Sequence, residues 1–414
     1  MTLLFSPDRA AELGEDQQRR DAVERAASAG LPDTTSEVWR YSPIADLDLD
    51  ALDIVTEPPS AELATPDHLA EALDGLSAAA TVTVADGFVV SVQVADGWEA
   101  KGLQVEAVPI KRYEPADGSH LFDHLHAGFA PDGVLVKVAD NVAITDPIVI
   151  RSHLNRGVAG FTSVKVHAGP GSEVTIFEYQ SSDGDGLIVP MTQFHVEREA
   201  TVNHAVVQDL DHQTWQIGRV VSTVGDHATL NSSLIAFGGK YARLRTDSDL
   251  AGRGAKGELV GAYFADGDQI LDYRTFQQHI APDTLSDLLF KGTVDDSAGS
   301  VYTGMIHIHP EGAGSNAFQT NRNIKLGDDA WAWSVPNLEI ENNDVRCSHA
   351  STVSPVDPDQ RFYLHSRGVA PTVADRLIVA GFFEEALKRV AVPAAAQMAR
   401  SLIAAKLDER LARR

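Results

Sequence analysis

The chain has one cysteine, Cys347, in 414 residues. A single thiol excludes an intrachain disulfide framework and a cysteine-rich structural zinc site. It also excludes an iron–sulfur cluster held by this chain's thiolates alone, because such clusters usually take four. Long apolar runs are missing as well, and nothing approaches the roughly 18 apolar residues of a membrane span. The opening Met-Thr-Leu-Leu-Phe-Ser-Pro is short and lacks a basic start, so it does not read as a signal peptide. The expected location is therefore the cytoplasm. Basic residues are few: 34 Lys+Arg stand against 59 Asp+Glu, a formal charge of −25. Such an acid excess repels phosphate backbones and anionic lipid, so neither nucleic acid nor a membrane surface is an expected partner. Phosphate-binding loops are absent too. Gly238-Gly239-Lys240-Tyr241 lacks the earlier glycine and the following Ser/Thr of a P-loop, and the run from Gly252 to Gly257 reads as a glycine-rich turn. Any nucleotide must then belong to a partner. With no Gly-x-Ser-x-Gly elbow either, the chain is not expected to be an enzyme.

What is present is enough apolar sequence, 43%, to bury a large core. Three zones separate by pattern. Phe5 to Ala29 is rich in Ala, Glu, Gln and Arg, reads as one helix, and is stopped at Gly30-Leu31-Pro32. An aromatic segment, Ser36 to Pro43, and acidic Pro-containing stretches follow, so residues 1–100 are expected to form a mainly helical cap. From about Thr81 to Val353 short Val/Ile/Thr/Phe runs alternate with Gly, Asp and Asn, the mark of many short strands. Beyond Pro371, Leu377, Ile378, Phe382, Ala386, Leu387 and Val390 recur at helical spacing, and Pro393 suits the first residue of a further helix.

The strand zone repeats. Aligning turn-then-strand pieces on Val174, Val202, Leu230, Leu259, Leu288 and Phe318 gives steps of 28, 28, 29, 29 and 30 residues. An all-strand zone with a period between 20 and 50 residues points to stacked coils, each burying a strand face on the next. The expected architecture is a mainly β chain: a β-helix core over 101–353, the helical cap before it, and a helical region over 354–414.

Cys347 falls near the next beat. If its segment is a strand, Cys347 and His349 project from one face, with Cα atoms roughly 6.5–7 Å apart. A thiolate and an imidazole at that distance can converge on one metal. Two ligands are an incomplete set, and the rest must come from elsewhere. The competing reading is a buried cysteine packed as a small hydrophobe, with Val345 on the same alternation. His307 with His309, and His124 with His126 if extended, also share a face. Neither pair has an acidic or thiol neighbour in phase, so both are read as polar residues on a solvated sheet.

The run Asn343-Asp344-Val345-Arg346-Cys347-Ser348-His349-Ala350-Ser351-Thr352 resembles the Cys-Ser-His motif of the SufB/SufD family of iron–sulfur cluster assembly proteins, in its SufD-type branch. So do Arg361 to Val369, the later Gly381-Phe382-Phe383, and the early Gly30-Leu31-Pro32 with Glu37-Val38-Trp39-Arg40-Tyr41. That resemblance implies a right-handed parallel β-helix between two helical regions. It implies a non-catalytic scaffold subunit that pairs with a SufB-type paralogue and presents its C-terminal helices to SufC, an ABC-type ATPase. Cys347 and His349 would then be ligands for iron or a nascent cluster shared at the SufB contact. Arg367, Asp375, Phe382 and Phe383 are the partner-binding candidates on the C-terminal segment, and isolated chains are expected to self-pair. Two other readings stay open. One is a SufB-like cluster scaffold. The other is a β-helix enzyme acting on acidic polysaccharide, for which Arg243, Arg245, Asp247 and Asp249 supply the residue types.

Overall fold

The computed structural model describes residues 5–14, 16–59, 63–109 and 120–413. Met1–Leu4 of the opening segment lie outside them. The helix expected over 5–29 is two, α1 (Pro7–Ala11) and α2 (Gln17–Ala29). The break is local chemistry. Gly14 takes φ +138°, and Asp16 caps α2 by accepting the Gln18 amide at 2.9 Å. After α3 (Asp67–Leu73) the solenoid begins.

One sheet runs through Ala80–Ala85, Ile148–Leu154, Glu173–Ser182, Thr201–Asp209, Thr229–Ala236, Lys256–Ala265, Leu285–Val294, Asn316–Lys325 and Arg346–Pro355. The facing sheet runs through Gly133–Val138, Ser163–Ala168, Met191–Val196, Thr214–Val224, Tyr241–Leu250, Ile270–His279, Gly299–Ile308 and Trp331–Ile340. All these neighbours are parallel. The chain alternates between the sheets, so each coil gives one strand to each, and the fold is a β-solenoid flanked by helices. The first strand of each row is capped by an antiparallel partner, Phe88–Val94 on one sheet and Leu103–Val108 on the other.

Coil length varies more than the sequence period suggests. The inner row that starts at Val174 passes through Val202, Leu230, Gly257, Ser286, Ala317 and Cys347, steps of 28, 28, 27, 29, 31 and 30 residues. Leu259, Leu288 and Phe318 are therefore not in that row, and Phe318 points outward. Turns absorb the difference, and at Gly252 an added Cβ would sit 2.0 Å from the Asp226 nitrogen of the coil before. Only glycine allows that approach.

Between the sheets, Val and Ile rows fill the first coils and a cluster around Tyr263, Tyr273, Phe290 and Tyr302 fills the later ones. Both outer faces are covered. The N-terminal segment lays Trp39, Ile44 and Leu47 over Trp215, Ile217 and Tyr241, together with α4 (Leu121–Phe129). On the other sheet, α6 (Pro371–Leu387) and α7 (Pro393–Arg413), which follow α5 (Pro358–Ser366), cover Phe177, Phe237, Phe264 and Leu289. His124 and His126 are thus on a helix, not a strand. Leu121, Leu125 and Phe129 recur at four-residue spacing and are buried together.

Candidate functional site

The C-terminal end of the solenoid is built differently from its N-terminal end. Trp331–Ile340 and Arg346–Pro355 each close a sheet and hydrogen-bond to a neighbouring strand on one side only among the described residues. Unpaired strand edges offer N–H and C=O groups to another chain. Apolar side chains lie open there too: Trp333 is 50% exposed, Ile340 44% and Val353 42%.

Cys347 and His349 sit on this last coil, in register with Ala317 and Gln319 of the coil below. Ala317 and Gln319 are buried, so the side chains above them belong to the inner row, aimed into the open end of the solenoid. Cys347 packs with Val345 against Ile306, Ile308 and Ala317. That burial pushes its thiol up from the ordinary value. The Cys347 sulfur is held as a thiol until a cation or a base lowers its proton affinity. His349 is exposed and makes no hydrogen bond or ion pair among the described residues.

Beneath His349 lies a residue that periodicity could not single out. Gln319 is 2% exposed, and neither Nε2 nor Oε1 of its carboxamide has a hydrogen-bond partner among the described residues. Its side chain lies across Gly304 of the facing sheet, where a Cβ would come within 2.3 Å of Oε1. A buried amide left without partners costs roughly 1–3 kcal/mol, which a purely structural position has no reason to keep. Cys347, His349 and Gln319 together give one soft donor, one imidazole and one unsatisfied amide at an uncovered end.

The C-terminal candidates divide. Asp375 accepts a bidentate pair from Arg361, at 2.5 and 2.8 Å, and ties α5 to α6. Arg367 is exposed just after α5, with its guanidinium 5.4 Å from the Tyr363 ring centroid. Phe383 is completely buried under α6. Adjacent helical residues point about 100° apart, so only Phe382 keeps an accessible face, and Lys291 Nζ lies 4.4 Å from its ring centroid. Phe383 is a core residue. The sequence reading missed the more open apolar side chains on these two helices, Phe362, Tyr363, Val373 and Leu377. Tyr363 and Leu377 line a groove of about 840 Å³ between α5, α6 and the last coils.

Three of the four residues named for a polysaccharide groove are engaged otherwise. Arg243 is buried, 3.2 Å from Asp272 and donating to the Val38 carbonyl, while Asp247 accepts from Arg219 and Arg245. Among the described residues no helix is long and apolar enough to cross a membrane.

Residues 151–382 match the family model described as SUF system FeS cluster assembly, SufBD core domain. The chain is 34% identical over 276 residues to an iron–sulfur cluster assembly SufBD family protein of Mycobacterium leprae, covering 64% of this chain and 67% of that one. It is 26% identical over 383 residues to the iron–sulfur cluster assembly protein SufD of Escherichia coli, covering 89% and 87%. SufD of Bacillus subtilis is 25% identical over 307 residues, covering 72% and 70%.

Proposed function

This chain belongs to the SufB/SufD family of the SUF iron–sulfur cluster assembly system, and we propose that it serves there as a SufD-type, non-catalytic scaffold subunit. In this reading the open last coil pairs with a SufB-type paralogue, and with a second copy of itself when that partner is missing. Cys347 and His349 lend an incomplete ligand set for iron or a nascent cluster at that contact. The observation that carries the reading is the placement of both side chains in the inner row of a coil whose two edges are unpaired. Gln319 beneath them supports it, because a bound species or a partner group would satisfy its carboxamide. The raised thiol fits cargo that arrives with its own charge: iron, not the apo pocket, would drive off the proton. The test is anaerobic co-expression with SufB- and SufC-type partners, followed by iron and sulfide assay of the purified complex. His349→Ala is expected to lower both severalfold while the complex still assembles. Undiminished iron and sulfide in an intact complex would remove the assignment.

The ATPase is assigned to α5 and α6, where the apolar side chains of Phe362, Tyr363, Val373 and Leu377 are all exposed. Exposed apolar patches of this kind mark contact surfaces. Charge placed there without disturbing the core separates docking from folding. Phe362→Asp with Leu377→Asp is expected to reduce recovery of a SufC-type ATPase in a pull-down at least tenfold, with an unchanged melting temperature. Full recovery would move the docking surface elsewhere.

A further inference from the structure

The sequence offered His307 and His309 no acidic partner, yet coil stacking supplies two. Glu339, in the strand Trp331–Ile340, lies in register with His307, and Glu341 follows just beyond that strand. The ligand atoms of His307, Glu339 and Glu341 all lie within 4.8 Å of one another. His307 Nε2 is 2.6 Å from Glu341 Oε1, and the rings of His307 and His309 are 4.1 Å apart. These side chains stand on the outer surface of the solenoid, whereas Cys347 and His349 belong to its inner row.

One coil earlier, Gln278 fixes both rings. Its Oε1 accepts from His307 Nδ1 at 2.9 Å and from His309 Nε2 at 2.8 Å. With the hydrogens on those two nitrogens, His307 Nε2 is left with its lone pair, and the atom opposite is a carboxylate oxygen. A carboxylate 2.6 Å from Nε2 is satisfied either by a second proton on the ring or by a metal ion that takes the proton's place. A carbonyl on the far nitrogen that sets the tautomer and aims the other nitrogen is the usual support of a metal-binding histidine.

We infer that His307, Glu339 and Glu341, with His309 beside them, form a surface site for a first-row divalent transition-metal ion. Imidazole and carboxylate without thiolate are the donor set of such ions. Ligand bonds of about 2.0–2.2 Å place neighbouring donors of a tetrahedral site about 3.4 Å apart. Glu341, with 46% of its side chain exposed, has room to swing outward by that amount. The local field suits a cation, since Asp249 lies two coils back in the same row. The comparable group of His167, His195 and Glu197 has one carboxylate only and feels Lys137 and Lys165, which oppose a metal.

The inference is independent of the assembly reading, and the experiment needs no partner. Zinc is titrated calorimetrically into the full chain and its variants. The unmodified chain, Cys347→Ser and His195→Ala are expected to share a common site, while His307→Ala and Glu341→Gln weaken that site at least tenfold or lose one equivalent. Equal affinity and stoichiometry in His307→Ala and Glu341→Gln, or no zinc uptake by the unmodified chain, would overturn it. In that case His307 is an ordinary imidazolium that donates from Nδ1 to Gln278 and from Nε2 to Glu341.

Discussion

Arg410→Ala is expected to destabilise the fold by about 3–5 kcal/mol, the usual result of leaving one member of a buried ion pair behind. Arg410 meets Asp295, and both are buried, with Asp295 2% exposed. The same guanidinium donates to the Leu326 carbonyl at 3.1 Å. One helical turn earlier, Lys406 Nζ lies 2.6 Å from Asp266 Oδ1, also buried. Asp266 and Asp295 occupy equivalent turns after the paired strands Lys256–Ala265 and Leu285–Val294. Four residues of helix rise about 6 Å, and neighbouring strands are about 4.8 Å apart. Helix α7 therefore sets one basic side chain per coil against the solenoid. Urea unfolding of the full chain measures the loss. Replacing both partners, Arg410→Met with Asp295→Leu, is expected to recover most of it, because an apolar pair of similar volume removes the stranded charge. A single variant within 1 kcal/mol of the parent would mean that the pair contributes nothing.

How much of this was legible in the sequence follows from distance along the chain. The coil repeat can be read because each coil reuses one strand face, so Val174, Val202 and Leu230 recur at nearly constant spacing. The register further on cannot, because turns of unequal length shift it. A one-residue slip exchanges inner and outer faces, as it does at Phe318. Cys347 and His349 could be paired from the i, i+2 rule alone. Gln319 could not be added to them, since it lies 30 residues away from His349 and its lack of partners is a property of three-dimensional packing. Glu339 and Glu341 were hidden from His307 for the same reason. Local chemistry was misread where caps outweighed composition, as at Gly14 and Asp16, and where two histidines in a short apolar stretch proved helical.

Between pH 6.5 and 4.5 the protein is expected to lose about 4 kcal/mol of stability through two histidines with no solvent contact, and His120, which burial also pushes down to about 4, adds to the loss. Burial pushes His126 down to about 4, against the opposing help of the Thr162 carbonyl, 3.0 Å from Nε2. Burial likewise pushes His279 down to about 4, with Thr284 Oγ1 and Ser286 Oγ each 2.8 Å from its ring nitrogens. Both side chains are 0% exposed in the fold. Below their ordinary pKa near 6.5 the unfolded chain takes up protons that the folded chain refuses, so stability falls with pH. The loss flattens only below about 4, where the folded forms protonate as well. Each ring accounts for about 2 kcal/mol over this window. His68 works in the opposite sense: its hydrogen bond to Asp209 raises it, so its smaller contribution is lost as pH rises through its folded value. Burial raises Asp266, but Lys406 together with His212 and Arg413 more than offsets it and holds the carboxyl below the usual range, so its contribution disappears only in stronger acid. Urea midpoints at pH 7.0, 6.0, 5.0 and 4.5 give the slope. His279→Gln removes one titrating ring while leaving an amide for Thr284 and Ser286, and it is expected to reduce the acid loss by about 2 kcal/mol. An unchanged slope in that variant would mean that His279 is accessible to protons in the folded chain.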